Sequence, residues 1–320
     1  MIFEDLPTTP RSEELIDKAF SRAARAGRAK HGAEAQQSML QTASNVLSDN
    51  LENVVTSWPD FDTVDPFYYE LADALVDVNE LRQHLSEVGW ASRKTKEIGR
   101  EYQGKLRTDA DLARKHRKQA FARLASVVRE VEDDLLAVGE ARDRLKTLPE
   151  IDPDQPAIVV AGYPNVGKST FVNHVTNARH ETATYPFTTK GIGVGHLTRD
   201  HVRYQLVDTP GLLDRPPEER NEIESQAVSA LTHLADCVLV FVDASAACGY
   251  PLDAQLTLRD AIESQFDVPV LTVCSKADRS RDIEADFYLS VEADDGIEEL
   301  LDGAIEAVGY EPTLPFEQSR

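Results

Sequence analysis

An eight-residue loop in the middle of the sequence constrains the fold more than any other feature. The loop matches the pattern GxxxxGKS/T and consists of Gly162, Tyr163, Pro164, Asn165, Val166, Gly167, Lys168 and Ser169. It follows an apolar run and precedes a helical segment that starts at Thr170. Glycines in such a loop let backbone amides curl around phosphate groups, and the N-terminus of the next helix adds partial positive charge. We therefore predict a strand, a loop and a helix in which residues 162–170 bind nucleotide phosphates.

Two short motifs suit a nucleotide that carries a magnesium ion. In the loop, Lys168 can reach the β and γ phosphates, and the Ser169 hydroxyl can bind Mg²⁺. A second motif, DTPG, occupies 208–211 at the end of a predicted strand. There Asp208 can reach Mg²⁺ through water, and the Gly211 amide can approach a γ phosphate. Together the motifs favour a switch GTPase over a small-molecule kinase.

A third motif, SKAD at 275–278, follows another apolar run and is suited to reading guanine. The Asp278 carboxylate can accept hydrogen bonds from guanine N1-H and N2, while the stem of Lys276 lies along the base; adenine lacks that pair of donors. The alternative is that Asp278 is an ordinary helix-capping acid. G domains usually have asparagine where this chain has Ser275, so we expect weakened guanine selectivity. A further strand is predicted to end at 289–291, with backbone contacts to the guanine oxygen at Ser290 and Val291.

After residue 156 short β-rich runs alternate with helical stretches. The runs occupy 157–161, 202–207, 238–242 and 268–273. Such alternation predicts a parallel sheet covered by helices. The run 191–197 lies one short turn before 201–208, too close for a crossover helix, so these two predict an antiparallel hairpin. The expected fold of 156–310 is an α/β P-loop G domain with a mostly parallel sheet, one antiparallel strand and helices on both faces.

The region before this domain has a helical pattern. Apolar residues recur there at three- and four-residue steps, and Asp65-Pro66 suits a helix start. The clearest stripe, expected on one long helix, consists of Leu124, Val128, Val131, Leu135, Val138 and Leu145. Its burial requires other helices, so we predict an all-α bundle of antiparallel helices over 1–150. Three prolines between 148 and 156 end the bundle, and 311–320 forms a C-terminal tail.

The composition limits the location and the partners of the chain. With 56 acidic and 34 basic residues its formal net charge is −22, which argues against general attraction to nucleic acid or anionic lipid. This acidic excess resembles proteins of salt-loaded cytosols and predicts a halophilic source. The cysteines Cys237, Cys248 and Cys274 form no CxxC pair, so we expect reduced thiols. Because the sequence has no secretory leader and no run of about 18 apolar residues, we predict a cytoplasmic protein with no membrane contact. We also expect a monomer.

Longer strings around the motifs extend beyond what G domains share. They are GYPNVGKSTFVN, YPFTTKGIGVGH, VDTPGLLD, Arg215-Pro216, Glu219-Arg220-Asn221 and Ala247 to Tyr250 ahead of Gln255, with 67–71, 97–102 and 148–153 in the helical region. Over about 60–310 the chain resembles the nucleolar GTP-binding protein 1 family of Obg-like GTPases, in an archaeal-type short form. The resemblance implies a helical domain before a G domain and a role in assembly of the large ribosomal subunit. By position it makes Thr189 the switch threonine on Mg²⁺, with Thr188 as the alternative.

Two features of the sequence bear on hydrolysis. Leu212 and Leu213 follow the DTPG motif, so the glutamine that orients the attacking water in many GTPases is absent. We therefore predict slow intrinsic GTP hydrolysis, accelerated by a partner. Asn165 stands where potassium-activated GTPases place an asparagine that helps to hold K⁺; the alternative is an asparagine that only braces the loop. GTP or GDP and Mg²⁺ are the predicted cofactors, with K⁺ as a third candidate.

One segment departs from the acidic character of the chain. Between 93 and 123 there are eleven basic and four acidic residues, a local charge of +7. The basic residues are Arg93, Lys94, Lys96, Arg100, Lys105, Arg107, Arg114, Lys115, Arg117, Lys118 and Arg123. We predict that they engage ribosomal RNA phosphates, and the alternative is a solvated helix face. Two functions stay open: a ribosome-assembly GTPase, and an interaction module that holds GTP with little turnover. An ATP-dependent kinase is disfavoured by Asp278.

Overall fold

The chain forms two compact units in a computed structural model, which describes residues 2–148, 151–176, 181–183, 192–209 and 211–310. One unit consists of the described residues of Met1–Val64 and Val76–Lys146. The other consists of the described residues of Asp65–Leu75 and Thr147–Arg320. The first unit is helical and the second contains a sheet.

Aspartate side chains start several of the N-terminal helices. These helices are α1 (Ser12–Arg28), α2 (Gly32–Thr56), α3 (Pro66–Val76), α4 (Val78–Lys105), α5 (Ala110–Glu130) and α6 (Glu132–Leu145). The Asp77 carboxylate accepts hydrogen bonds from the amides of Asn79 and Glu80, both at 3.1 Å. Asp109 caps α5 in the same way. The caps satisfy amides that have no acceptor within the helix.

The predicted apolar stripe is buried, but it lies on two helices rather than one. All six of its residues are at most 2% exposed, which confirms a packed helical bundle. Val131 has φ −104° and ψ 24°, outside the α-helical region, so it separates α5 from α6. The prediction of one continuous helix is therefore wrong. Glu132, Asp133 and Asp134 follow the break, and acidic side chains are favourable in the first turn of a new helix.

Helix α3 starts where the sequence predicts and packs within the second unit. The Asp65 carboxylate accepts a hydrogen bond from the amide of Phe67 at 2.9 Å, and Pro66 occupies the first helical position, where no amide donor is needed. The Tyr68 hydroxyl donates to the carbonyl of Ile151, just before the first strand. A helix from the N-terminal half of the sequence thus contributes to the unit that contains the sheet.

The second unit contains a seven-stranded sheet among its described residues. The strands are β1 (Ala157–Ala161), β2 (Glu181–Ala183), β3 (Ile192–Arg199), β4 (Val202–Asp208), β5 (Cys237–Asp243), β6 (Val270–Ser275) and β7 (Phe287–Tyr288). Their order is β2-β3-β4-β1-β5-β6-β7. Strand β3 runs antiparallel to both of its neighbours, and the other pairs are parallel. The predicted mostly parallel sheet with one antiparallel strand is confirmed.

The centre of the sheet explains the continuous apolar runs. Strands β1 and β5 are buried at every residue, as expected where helices cover a parallel sheet. The helices of this unit after β1 are α7 (Lys168–Val175), α8 (Glu222–Leu234), α9 (Leu252–Gln265) and α10 (Ile297–Val308). No helix among the described residues is long and apolar enough to cross a membrane.

The last strand differs from its prediction. The sequence favours a strand that ends at 289–291, whereas β7 covers Phe287–Tyr288. The amide of Ser290 donates to the Asp295 carbonyl at 3.0 Å and the amide of Asp295 returns a bond to the Ser290 carbonyl. This turn stops the ladder with β6, because Ser290 bonds within its own loop.

Candidate functional site

Polar residues meet at one edge of the sheet. The four central strands lie in the order β4-β1-β5-β6 and are parallel, so their carboxyl ends share an edge. The residues that end or directly follow these strands are Gly162, Asp208, Asp243 and Ser275. Ligands of open α/β sheets bind outside this edge. The chain topology therefore gathers three separate motifs into one candidate site.

The predicted phosphate loop adopts backbone conformations that favour glycine. Gly162 has φ +126° and Gly167 has φ +107°. A Cβ at position 162 would lie 2.4 Å from the carbonyl oxygen of Phe241 in β5. The Lys168 ammonium donates to the carbonyls of Gly162 at 2.5 Å and Tyr163 at 2.9 Å. The lysine thus folds back over the loop that precedes it, and only 6% of the residue is exposed.

Two of the predicted magnesium ligands lie side by side. The Ser169 hydroxyl donates to the carboxylate of Asp208, which is 6% exposed at the end of β4. The Thr209 hydroxyl donates to the carbonyl of Val160 at 2.9 Å and ties this segment to β1. A hydroxyl and a carboxylate are hard oxygen ligands. The donor set beside the phosphate loop therefore fits Mg²⁺ bound together with nucleotide phosphates.

The residues after the DTPG motif are divided between the core and the site. Leu212 and Leu213 are both 0% exposed, so their side chains pack inside the unit. The Gly211 amide, predicted to approach a γ phosphate, donates to the carboxylate of Asp214 at 2.8 Å. The leucine side chains are thus directed into the core and hold no polar group that could orient a water molecule.

The predicted base-reading residues contact the phosphate loop and each other. The Lys276 ammonium donates to the carbonyl of Asn165 at 2.8 Å and to the carboxylate of Asp243 at 2.7 Å. The Ser290 hydroxyl donates to the carboxylate of Asp278 at 2.6 Å. This hydrogen bond is the largest cause that holds the pKa of Asp278 below its usual value. The carboxylate is therefore ionised near neutral pH, the state in which it accepts hydrogen bonds.

Ser275 and Asn165 take different places in the loops. The Ser275 hydroxyl donates to the carbonyl of Val242 at 3.2 Å, and the residue is 3% exposed. Asn165 has φ +63° and is exposed. Within the described part of the chain its side-chain amide makes no hydrogen bond, whereas its carbonyl binds Lys276. Both interpretations of this asparagine stay open.

The remaining predicted site residues have the following places. Val166 is buried, Pro164 is half-buried, Thr170 is exposed in the first turn of α7, and Val291 follows Ser290 in the loop after β7. Thr189, predicted as the switch threonine, and its alternative Thr188 lie outside the described residues, as does Pro210.

The sequence analysis missed two residues beside the phosphate loop. Asp243 ends β5 and is 0% exposed. Burial alone would raise its pKa, but the hydrogen bonds from Lys276 and Ser245 outweigh burial and lower the pKa. The ring of Tyr250 stacks on that of Tyr163, with centroids 4.3 Å apart. An aspartate that ends a wholly apolar strand at the ligand-binding edge was the signal available for Asp243.

The chain is similar to a solved structure and to several relatives. A crystal structure of a candidate nucleolar GTP-binding protein 1 from Plasmodium falciparum is 31% identical, covers 51% of this chain and 90% of its own, and gives a TM-score of 0.47. A protein of Methanocaldococcus jannaschii, described as uncharacterized, is 36% identical over 287 residues, which make up 86% of this chain and 81% of that protein.

Several relatives share one description. The proteins called Nucleolar GTP-binding protein 1 in Eremothecium gossypii and Saccharomyces cerevisiae are 32% and 34% identical over 89% and 74% of this chain, which spans 46% and 37% of their lengths. The profile described as the NOG1 N-terminal helical domain matches residues 3–152, and that described as Nucleolar GTP-binding protein 1 matches 222–278. The chain belongs to the nucleolar GTP-binding protein 1 family.

Proposed function

We propose that the chain is a GTPase that binds GTP and GDP together with Mg²⁺. The proposal rests on the convergence of Lys168 and the Ser169–Asp208 pair at one sheet edge with Lys276 and Asp278. The first group suits phosphates and a hard cation, and the second suits a purine that carries guanine donors. The relatives' description as GTP-binding supports the same ligand.

The residues of the site divide the work of phosphoryl transfer to water. Such a reaction needs positioning and neutralisation of charge more than covalent help, and bound Mg²⁺ supplies part of that neutralisation. Lys168 would bind the phosphate oxygens, Ser169 and Asp208 would hold the metal, and the Gly211 amide would bind the terminal phosphate. Thr189, which lies outside the described residues, would complete the metal ligands by its position in the family motif.

Slow intrinsic turnover is part of the proposal. Leu212 and Leu213 are buried, so the attacking water needs another group, and K⁺ held by Asn165 or the ribosomal subunit would supply it. Hydrolysis by the wild type should be faster in KCl than in NaCl of equal ionic strength. Asn165→Gly keeps the positive φ and removes the amide, so it should abolish that difference. Equal rates of the wild type in the two salts would remove K⁺ from the mechanism.

We propose that six of the eleven basic residues between 93 and 123 bind ribosomal RNA. Four of these eleven basic residues lie in ion pairs. The pairs are Lys94 with Glu97, Lys96 with Glu52, and both Lys105 and Arg123 with Glu101. Arg117 is half-buried, donates to Gln36 and lies over the Phe121 ring. The other six are exposed and have no acidic partner within ion-pair distance in the described part of the chain. This basic surface consists of Arg93, Arg100, Arg107, Arg114, Lys115 and Lys118.

The ribosomal role is tested by reversing charge on this basic surface. A variant with Arg114, Lys115 and Lys118 changed to glutamate should lose co-sedimentation with large ribosomal subunits and keep GDP affinity. The matched control reverses Arg22, Arg25 and Arg28 on α1, which makes the same change in net charge. Equal co-sedimentation of the variant and the wild type would refute the RNA surface.

Hydrolysis measured with and without large subunits separates the two candidate functions. An assembly GTPase is stimulated by the subunit, whereas an interaction module with bound GTP shows binding without stimulation. The domains proposed are the helical bundle at 1–150, of which α3 packs within the unit that contains the sheet, the G domain at 156–310 and the tail at 311–320. A cytoplasmic monomer is proposed, and gel filtration with light scattering tests its mass.

A further inference from the structure

A buried carboxylate that phosphate chemistry does not require lies at the centre of the site. Asp243 ends β5, is 0% exposed, and stands between the phosphate loop and the SKAD motif. A buried charge is costly unless several donors satisfy it. The charged Asp243 carboxylate is therefore expected to have several hydrogen-bond donors and a structural or functional role.

Four donors surround this carboxylate. Oδ1 accepts from the amide of Ser245 at 3.0 Å and from its hydroxyl at 2.5 Å. Oδ2 accepts from the amide of Cys248 at 2.9 Å and from the Lys276 ammonium at 2.7 Å. The first three donors belong to the loop after β5, and only the fourth comes from the base-reading motif. Asp243 thus joins two loops of the site.

Lys276 carries this connection on to the phosphate loop. Its ammonium also donates to the Asn165 carbonyl at 2.8 Å, so the lysine spans Asp243 and the loop that holds phosphates. Its own φ is +50°, a left-handed backbone conformation that is unfavourable for a residue other than glycine. Hydrogen bonds to the two acceptors offset the rotamer entropy that the lysine side chain loses when it is ordered.

Ser275 leaves the connection between the SKAD motif and the phosphate loop to the Lys276 side chain. The Ser275 hydroxyl donates to the Val242 carbonyl within the sheet. The serine side chain is shorter than the asparagine that G domains usually have at this position. Within the described residues, the side-chain hydrogen bond that joins this motif to the phosphate loop is the one from Lys276 to Asn165. Its geometry depends on the acceptor at Asp243.

We propose that Asp243 is a positioning residue for guanine-nucleotide binding, which acts by holding the Lys276 ammonium against the phosphate loop. The inference rests on the proposed function. With the ammonium fixed between Asp243 and Asn165, the lysine stem is ordered before the base arrives, and Asp278 keeps its place two residues further on. Neutralising Asp243 leaves Lys276 with one acceptor and makes its ordering part of the binding event.

A double-mutant cycle on GDP affinity tests the inference. Asp243→Asn should weaken GDP binding about tenfold, the effect expected when a charge-assisted hydrogen bond is lost. Lys276→Met should weaken binding at least as much, and adding Asp243→Asn to Lys276→Met should produce no further loss. An additive double variant would show that Asp243 acts on its own loop, and this result would overturn the inference.

Two control variants separate positioning from folding. Asp236→Asn makes the same charge change at the start of β5, where the carboxylate accepts from the Ala157 amide at 2.8 Å, and GDP affinity should not change. Ser245→Ala removes a donor to Asp243 other than Lys276 and should lower the melting temperature of the nucleotide-free protein without weakening GDP binding.

If Asp243→Asn fails to fold, the GDP affinities of Ser245→Ala and Lys276→Met can still be compared, because both variants keep the Asp243 carboxylate. The inference expects Lys276→Met to lose GDP affinity while Ser245→Ala keeps it, and equal losses in the two variants overturn it. Absence of GDP binding by the folded wild type would instead overturn the proposed function, and the inference with it.

Discussion

The main-chain amide of Gly211 donates a hydrogen bond to the carboxylate of Asp214 at 2.8 Å. The guanidinium of Arg215 contacts the same turn, donating to the Gly211 carbonyl at 3.3 Å and lying 3.6 Å from the Asp214 carboxylate. The amide that the proposed function assigns to the terminal phosphate of GTP is therefore already bound to an anionic group. Asp214 and a γ phosphate would compete for one donor.

The first prediction follows from this competition. Asp214→Ala frees the Gly211 amide, so the affinity for a non-hydrolysable GTP analogue should rise relative to GDP by about threefold to tenfold, the range expected from one charge-assisted hydrogen bond. Calorimetric titration with both nucleotides measures the ratio. Asp253→Ala, an exposed aspartate at the start of α9, is the matched control. An unchanged ratio in Asp214→Ala would contradict the competition.

The second prediction concerns the metal. Because the Ser169 hydroxyl lies against Asp208, Ser169→Ala should weaken GDP binding in the presence of Mg²⁺ by about tenfold, since one hard oxygen ligand is lost. In EDTA the variant and the wild type should bind GDP equally. Ser225→Ala, on the exposed face of α8, should match the wild type in both conditions. A loss of equal size in EDTA would mean that Ser169 does not act through the metal.

The third prediction concerns stability alone. Gly162→Ala places a Cβ 2.4 Å from the Phe241 carbonyl oxygen at φ +126°, so the variant should be destabilised by about 1–3 kcal/mol, the range for residues held in unfavourable backbone regions. Urea unfolding followed by circular dichroism measures the loss. Gly104→Ala in α4 meets no atom within 4 Å, so it should be neutral or stabilising. Comparable destabilisation of the two variants would count against the proposed packing.

The fourth prediction concerns thiol chemistry. The three cysteines are buried, and burial raises the pKa of Cys237 to about 12. Because the pKa is raised, the folded state favours the neutral Cys237 thiol. The contribution of this thiol to the free energy of unfolding is fully present below the ordinary cysteine pKa and is lost as the pH rises toward 12. Ellman's reagent at pH 8 should react slowly with the native protein, and it should label three thiols per chain in denaturant.

The difference in unfolding free energy between the wild type and Cys237→Ala should shrink above about pH 9. A constant difference would contradict the raised pKa.

Much of the second unit could be predicted because its signals are local. Gly162 and Gly167 occur at spacings that a phosphate loop requires, and the valine-rich runs give β1, β4, β5 and β6 nearly to their observed ends. The antiparallel β3 followed from a connection too short for a helix. The end of β7 was misplaced, because the turn from Ser290 to Asp295 is fixed by hydrogen bonds within the loop rather than by a turn motif.

The first unit was predictable in class and less so in detail. The stripe that includes Leu124 and Leu145 correctly indicates a buried face, since burial of one helical face leaves a period of three to four residues. The break at Val131 leaves that period almost intact, so periodicity did not detect it. The packing of α3 within the second unit also has no local signal, because it depends on contacts such as Tyr68 with Ile151.

By itself the sequence determined the family, the class of each unit and the residues of the phosphate loop, because these depend on short motifs and on the local period of apolar side chains. Only the tertiary structure decided that Asp243 and Lys276, 33 residues apart, form one pair beside Asn165. It also decided that Asp214 occupies the Gly211 amide. Parallel strands bring distant residues to a common edge, and which donor then meets which carboxylate depends on packing in three dimensions.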